Sequence, residues 1–288
     1  MILEIKMKIF TNKIGIMQGR LSPPYPAHYQ TFPWKSWKDE FSIADELHID
    51  YIEWVYDKPY EPHSPLKDKH GFEQVFNTIQ QTGVPVLSIC ADYFMSELLL
   101  INGQVNPVAV TKLKYLIDLS TEIGARHIVL PFVDASKITT TKEIDALVDL
   151  LQNEAGPYAE NKGIELHIES DFAPNDFYKL LTRIKMPETV KANLDIGNSA
   201  ALGWQPEEEI GILGSWIGSI HIKDRLLNGG TVPLGTGDAN FQKTFSLLKD
   251  INYSGNFTVQ AARGPSGEER ETVQKQIAFC RNLLSSLQ

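Results

Sequence analysis

Short apolar runs followed by stretches of helical periodicity recur eight times along this chain, and that alternation limits the fold more than any single motif. The runs lie at 13–19, 51–56, 85–93, 127–133, 164–170, 190–197, 217–224 and 256–262; they are rich in Val, Ile and Leu and short enough for buried strands. Apolar residues spaced three and four apart predict helices over 36–47, 71–81, 107–123, 141–161, 176–184, 207–213, 241–249 and 268–287. Gly83 and Gly124 stand just past two of these segments, where a left-handed C-cap is expected, and each leads into the next strand. Strict β-then-α order, with no Pro-, Gly- or Ser-rich linker to divide it, predicts a single (β/α)8 TIM barrel spanning 1–288. A doubly wound open sheet is the alternative, but no G-x-G-x-x-G turn follows the first run.

The last four runs carry a polar residue at or near their C-terminal ends: Glu169, Asp195, His221 and Gln260. Strand alternation places Glu165, His167 and Glu169 on one side, and groups Asn193 with Asp195 and Ser219 with His221. In a barrel the polar members of the C-terminal layer point inward, so the four would converge at the catalytic rim. Mostly oxygen donors with one imidazole suit one divalent metal ion, and this donor set does not separate Mn, Mg, Co and Zn. The plainer alternative at each position is a polar residue that caps its own strand or a neighbouring helix.

A formal charge of -9, with Lys and Arg scattered among Asp and Glu, offers no footprint for nucleic acid or an anionic membrane. The hydrophobic content of 42% suits a large core and small-molecule chemistry. Cys90 and Cys280 lie far apart in apolar runs, so neither a disulfide framework nor a thiolate zinc site is expected, and the cytoplasm is the expected location. Residues 1–10 lack the sustained apolar core of a secretory signal, and no apolar run approaches the ~18 residues of a membrane span. A homo-oligomer remains open.

The segments Leu166-His-Ile-Glu169, Asn193-Leu-Asp-Ile-Gly197, Ile220-His-Ile-Lys-Asp224 and Pro233-Leu-Gly-Thr-Gly-Asp238 resemble the xylose isomerase-like TIM barrels. That group of sugar isomerases and epimerases also takes in inosose and dehydroshikimate dehydratases and an apurinic endonuclease branch, and the resemblance spans nearly the whole chain. It implies metal binding by Glu169, Asp195 and His221. A fourth ligand, a glutamate in the family, falls on Gln260. A second departure is Asn198, where many members have histidine; asparagine can bond a substrate hydroxyl but is a weaker ligand, which favours a mononuclear site. The extra histidines of the endonuclease branch have no counterparts at 51–56, 88–93 and 130–134, where runs two to four end.

Around the metal, Glu53 and Lys223 could bind substrate hydroxyls or shuttle protons, or form an ordinary rim ion pair. His167, one layer below Glu169, reads as a hydrogen-bonding residue rather than a ligand. Arg20, Arg225 and Arg263 follow runs one, seven and eight, which adjoin in a closed barrel; their forks suit a phosphate or carboxylate, or acids of the loops such as Asp238. Tyr25, Tyr29, Phe32 and Trp34, in the Pro-stiffened loop after the first run, could stack on a sugar or pack that loop onto the rim. Gly235 and Gly237 shape a tight loop, since no G-x-x-x-x-G-K-[ST] surrounds them.

The resemblance implies a metal-dependent isomerase or epimerase acting through an enediolate on a small-molecule carbohydrate, phosphorylated and acidic sugars included. Gln260 cannot exchange a proton at neutral pH, so Glu169 is expected to be the main base, with Lys223, Glu53 or water as any second donor. One-face isomerisation or elimination is then favoured over two-base epimerisation. A dehydratase of a keto-polyol such as an inosose is the nearest alternative. A catalytically reduced sugar-binding barrel is the other.

Overall fold

Each of the eight expected runs supplies a strand: β1 (Ile14–Met17), β2 (Tyr51–Val55), β3 (Val86–Cys90), β4 (His127–Phe132), β5 (Glu165–Ser170), β6 (Val190–Asp195), β7 (Ile217–Ile222) and β8 (Asn256–Val259). The computed structural model describes residues 12–24 and 30–286. All eight pair in parallel with their neighbours, and β8 closes the barrel on β1, Ile14 opposite Phe257 and Ile16 opposite Val259.

Alternation along the strands divides two chemistries. Outward residues such as Ile16, Ile52, Trp54, Ile128, Leu130, Leu166, Ile168, Ile220 and Phe257 join one apolar core with Phe41, Val75, Leu113, Leu147, Leu180, Phe245 and Ile277 of the surrounding helices. Burying each such side chain contributes roughly 1.5–3 kcal/mol. Residues of the other parity are largely polar and bond to one another across the barrel. The Tyr51 hydroxyl meets Thr258 Oγ1 at 2.8 Å, and Ser219 Oγ, 2.8 Å from His167 Nδ1, donates to Asn193 Oδ1 at 2.7 Å. Gly218 leaves room for this network, because a Cβ there would come within 2.6 Å of the His167 ring.

The helix ends follow the expected chemistry where it was written in single residues. Lys69–Thr82 and Pro107–Ile123 end on Gly83 and Gly124 at φ 71° and 84°. Three departures have local causes. The helix expected over 141–161 runs as Thr141–Leu150, a π turn at Leu151–Ala155, then Gly156–Lys162; Pro157 has no N–H to offer the preceding turn, which widens around it. The sixth strand stops at Asp195 because its carboxylate accepts the Asn198 N–H and starts an additional helix, Ile196–Leu202. Two hairpins also form, Leu100–Ile101 with Gln104–Val105 and Asp224–Arg225 with Thr231–Val232.

The loop after β1 is tied to helix Trp37–Glu46 by one carboxylate. Glu40, 1% exposed, accepts from Gly19 N, Leu21 N and Ser22 Oγ at 2.8, 3.1 and 2.7 Å. Phe32 stacks on Trp54 with centroids 5.1 Å apart, so it packs the loop onto the barrel; Tyr25 and Tyr29 lie outside the described residues. Both cysteines are free and buried, and among the described residues no helix is long and apolar enough to cross a membrane.

Candidate metal and substrate site

The C-terminal ends of β5, β6 and β7 bring Glu169, Asp195 and His221 together, one ligand atom of each lying within 4.8 Å of the others, all three residues buried. The imidazole is held from beneath: His221 Nε2 lies 2.9 Å from Glu53 Oε1, whose other oxygen accepts from Ser88 Oγ at 2.7 Å. With Nε2 bonded to a carboxylate, Nδ1 is left buried with no hydrogen-bond partner among the described residues, 3.7 Å from Glu169 Oε2. An imidazole nitrogen aimed at two carboxylates, with its other nitrogen fixed by a third, fits a divalent cation.

Asp195 uses Oδ1 to cap the next helix and Oδ2 to bind the Lys223 ammonium at 2.8 Å. Lys223 also donates to Gln260 Oε1 at 3.3 Å, while Gln260 Nε2 donates to Gln30 Oε1 at 3.1 Å, so the amide turns its carbonyl oxygen toward the cluster. Asn198 donates through Nδ2 to Glu169 Oε1 at 2.7 Å and accepts from Arg225 Nη1 at 2.8 Å, which sets the direction of its amide.

The electrostatics separate the two carboxylates. Burial and then the Asp195 charge push the Glu169 carboxyl up to about 7. Burial also works against ionised Asp195, but Lys223 and His221 outweigh it and hold that carboxyl below its ordinary value. Burial likewise disfavours a charged His221, yet the Glu53 carboxylate, aided by Glu169 and Asp195, raises it to about 9 in the metal-free site. A carboxyl poised near neutrality beside one held ionised is the pairing that proton transfer next to a carbonyl requires.

A cleft of about 510 Å³ opens above the cluster at the barrel's C-terminal rim; Glu169, Lys223, Gln260, Asn198 and Arg225 line it. The remaining sequence-level candidates fall elsewhere. Glu53 is 0% exposed beneath His221, so it orients the imidazole and does not meet a substrate. His167 lies inside the barrel, its Nε2 at 2.8 Å from Glu165 Oε2 and its ring stacked on His127 at 4.1 Å, likewise away from substrate. Trp34 stacks on His63 with centroids 4.6 Å apart and is not part of the cleft wall.

The three arginines do not share the cleft wall. Arg20 donates to Ala261 O and Gln30 Oε1, Arg263 donates to Ser22 O, and Arg225 alone lines the cleft while also binding Gly229 O. Asp238 accepts from Leu227 N. Sequence reasoning missed Gln30 and Asp92, which line the cleft and are joined by a 2.7 Å hydrogen bond. Asp92 sits just beyond β3, so the end-of-strand position that marks Glu169, Asp195 and His221 in the sequence marks it too.

The arrangement is a (β/α)8 barrel with a carboxylate and imidazole cluster on its C-terminal rim. The profile of the xylose isomerase-like TIM barrels matches residues 41–283, and the chain belongs to that family. A protein of Haemophilus influenzae provisionally named L-ribulose-5-phosphate 3-epimerase is 26% identical over 247 residues, 78% of this chain and 83% of that one. Among solved structures, the IOLI protein with a bound zinc atom superposes with a TM-score of 0.74 at 20% identity, covering 96% of this chain and 99% of its own. An L-ribulose 3-epimerase superposes at 0.73 with 16% identity, covering 96% and 95%.

Proposed function

We propose that the chain is a divalent-metal-dependent isomerase or epimerase that moves the proton on a carbon adjacent to the carbonyl of a sugar or sugar derivative. The observation that carries this reading is the Nδ1 of His221, unpartnered among the described residues and buried beside Glu169 and Asp195, beneath a cleft that Glu169 lines. The epimerase names borne by the Haemophilus relative and by a structural neighbour, and the zinc in another neighbour, support it.

Glu169, Asp195 and His221 would hold the ion, with the Gln260 carbonyl oxygen as a fourth donor. When bound, a divalent cation supplies Lewis-acid polarisation of a carbonyl oxygen. Every remaining part of the chemistry falls to side chains. Glu169, with its carboxyl near neutrality, takes the proton from carbon through Oε2 while Asn198 holds Oε1. Glu53 keeps the His221 ring in one orientation. Gln260 stands where the family has a carboxylate, and an amide cannot return a proton, so Lys223, 3.3 Å from it, is the nearest ionised donor on that side. In aldose–ketose isomerisation Glu169 alone can carry the carbon-bound proton from one carbon to the next, with the hydroxyl proton passing between the two substrate oxygens, whereas epimerisation recruits Lys223 as the second acid.

Incubation of the purified protein with Mn²⁺ and a panel of ketoses in heavy water tests the reading. It predicts solvent deuterium at the carbon beside the carbonyl and no change in the elemental composition of the carbon skeleton. Loss of a water from the product would mean a lyase, and no exchange with any ketose would remove the enzymatic assignment.

A further inference from the structure

Phosphate-binding TIM barrels commonly seat the anion in the loops after their seventh and eighth strands, on free backbone N–H groups and a helix N-terminus. In this chain its own carboxylates bind amides at both places, three after β7 and one after β8. After β7, the Asp224 carboxylate, 0% exposed, accepts from Gly235 N at 2.8 Å, Gly237 N at 2.9 Å and Ala239 N at 3.1 Å. The loop is built around that side chain: a Cβ on Gly237 would stand 2.3 Å from Asp224 Oδ1. The amides of the glycine loop therefore already hold an anion, one covalently attached to the chain.

After β8, helix Glu269–Ser286 opens with Glu269 and Glu271 in its first turn, and both carboxylate oxygens of Glu269 accept from Gly267 N at 3.1 Å. The positive end of that helix thus faces its own acids. The cleft wall carries more carboxyls than basic side chains. Asp57, Asp92 and Asp134 join Glu169 on it, against Lys223 and Arg225. Those two cations are engaged, Lys223 with Asp195 and Arg225 with Gly229 O and Asn198 Oδ1.

Resting on the function proposed above, we infer that the substrate is an unphosphorylated sugar: among the described residues, amides of the two loops that would receive a phosphate are already bound by Asp224 and Glu269, and the cleft is lined by more carboxyls than basic side chains. This separates the chain from the relative named for a sugar phosphate. A neutral polyol can donate its hydroxyls to the carboxylates of the same wall, Asp92 and Asp134 among them.

The experiment compares ketopentoses and ketohexoses, each as the free sugar and as its terminal phosphate ester, on the Mn²⁺-loaded native enzyme. The free sugar is expected to lead by at least about tenfold in kcat/KM, since like-charge juxtaposition is costly. Rising salt should lower KM for the ester by screening repulsion and leave KM for the free sugar unchanged. Preference for the ester, or an ester KM that rises with salt, overturns the inference and leaves the enzymatic reading intact. Calorimetric titration with the same pairs reads specificity without turnover: tighter binding of the free sugar to a protein that exchanges no deuterium supports the inference and overturns the enzymatic reading alone. Tighter binding of the ester overturns the inference, and binding of neither overturns both.

Discussion

Glu169→Gln is expected to lower kcat by about 10³-fold or more while leaving the barrel folded, because a positioned carboxylate base contributes roughly 10²–10⁴ and the amide cannot accept a proton. The replacement is nearly isosteric. Its carbonyl oxygen can still accept the bond that Asn198 Nδ2 now gives to Glu169 Oε1, so the local geometry should persist. It removes the one carboxyl of the site raised to about 7, the value that lets a group take and return a proton near neutral pH. Steady-state rates with the best ketose, deuterium washout from the labelled substrate, and circular dichroism on the same preparation check it. Undiminished washout in the folded variant would take the role of base away from Glu169.

Glu53→Gln is the second large effect, and it acts from a residue that no substrate reaches. Glu53 and His221 are both 0% exposed and 2.9 Å apart, and the Glu53 charge is the strongest influence opposing burial in raising His221 to about 9. Glutamine can still accept from Nε2 but brings no charge, so the imidazole becomes a poorer donor through Nδ1 and its orientation is less firmly held. Loss of such a supporting carboxylate costs about 10–100-fold in metal affinity. Titration calorimetry with Mn²⁺ on the native protein and the variant reads the ratio, and the thermal midpoint of each separates weaker binding from unfolding. Equal affinities would make Glu53 a packing residue.

The barrel and the meeting of Glu169, Asp195 and His221 were legible because both follow from periodicity. A strand of period two that ends in Glu, Asp or His can aim that residue inward only at the rim, and β5, β6 and β7 do so. Depth inside the barrel was not legible in the same way. Glu53 and Glu169 look alike in sequence, yet Glu53 lies mid-strand beside Ser88 and Met17 while Glu169 is the penultimate residue of its strand. Only the register between strands distinguishes the two, and no single strand encodes it. The places of the arginines were not legible for a related reason: their bonds include carbonyls of Ala261, Ser22 and Gly229, and which carbonyls a loop exposes depends on its fold. The hairpin at Leu100–Val105 could have been read, since Asn102 and Gly103, at φ 53° and 70°, form the Asn-Gly turn that joins tight hairpins. The Asp224 cradle could be half read: the glycines at 235 and 237 announced a tight loop, but nothing local named the carboxylate that fills it.

Everything proposed for the chemistry depends on one ion at one place. Crystals grown with Mn²⁺ and measured at its absorption edge locate that ion by anomalous scattering, without reference to activity. The account predicts a single strong peak with Glu169, Asp195 and His221 Nδ1 each about 2.0–2.6 Å away and the Gln260 carbonyl oxygen turned toward it. A map with no peak among these residues at saturating Mn²⁺, or with the ion held elsewhere while His221 Nδ1 stays unliganded, would contradict it.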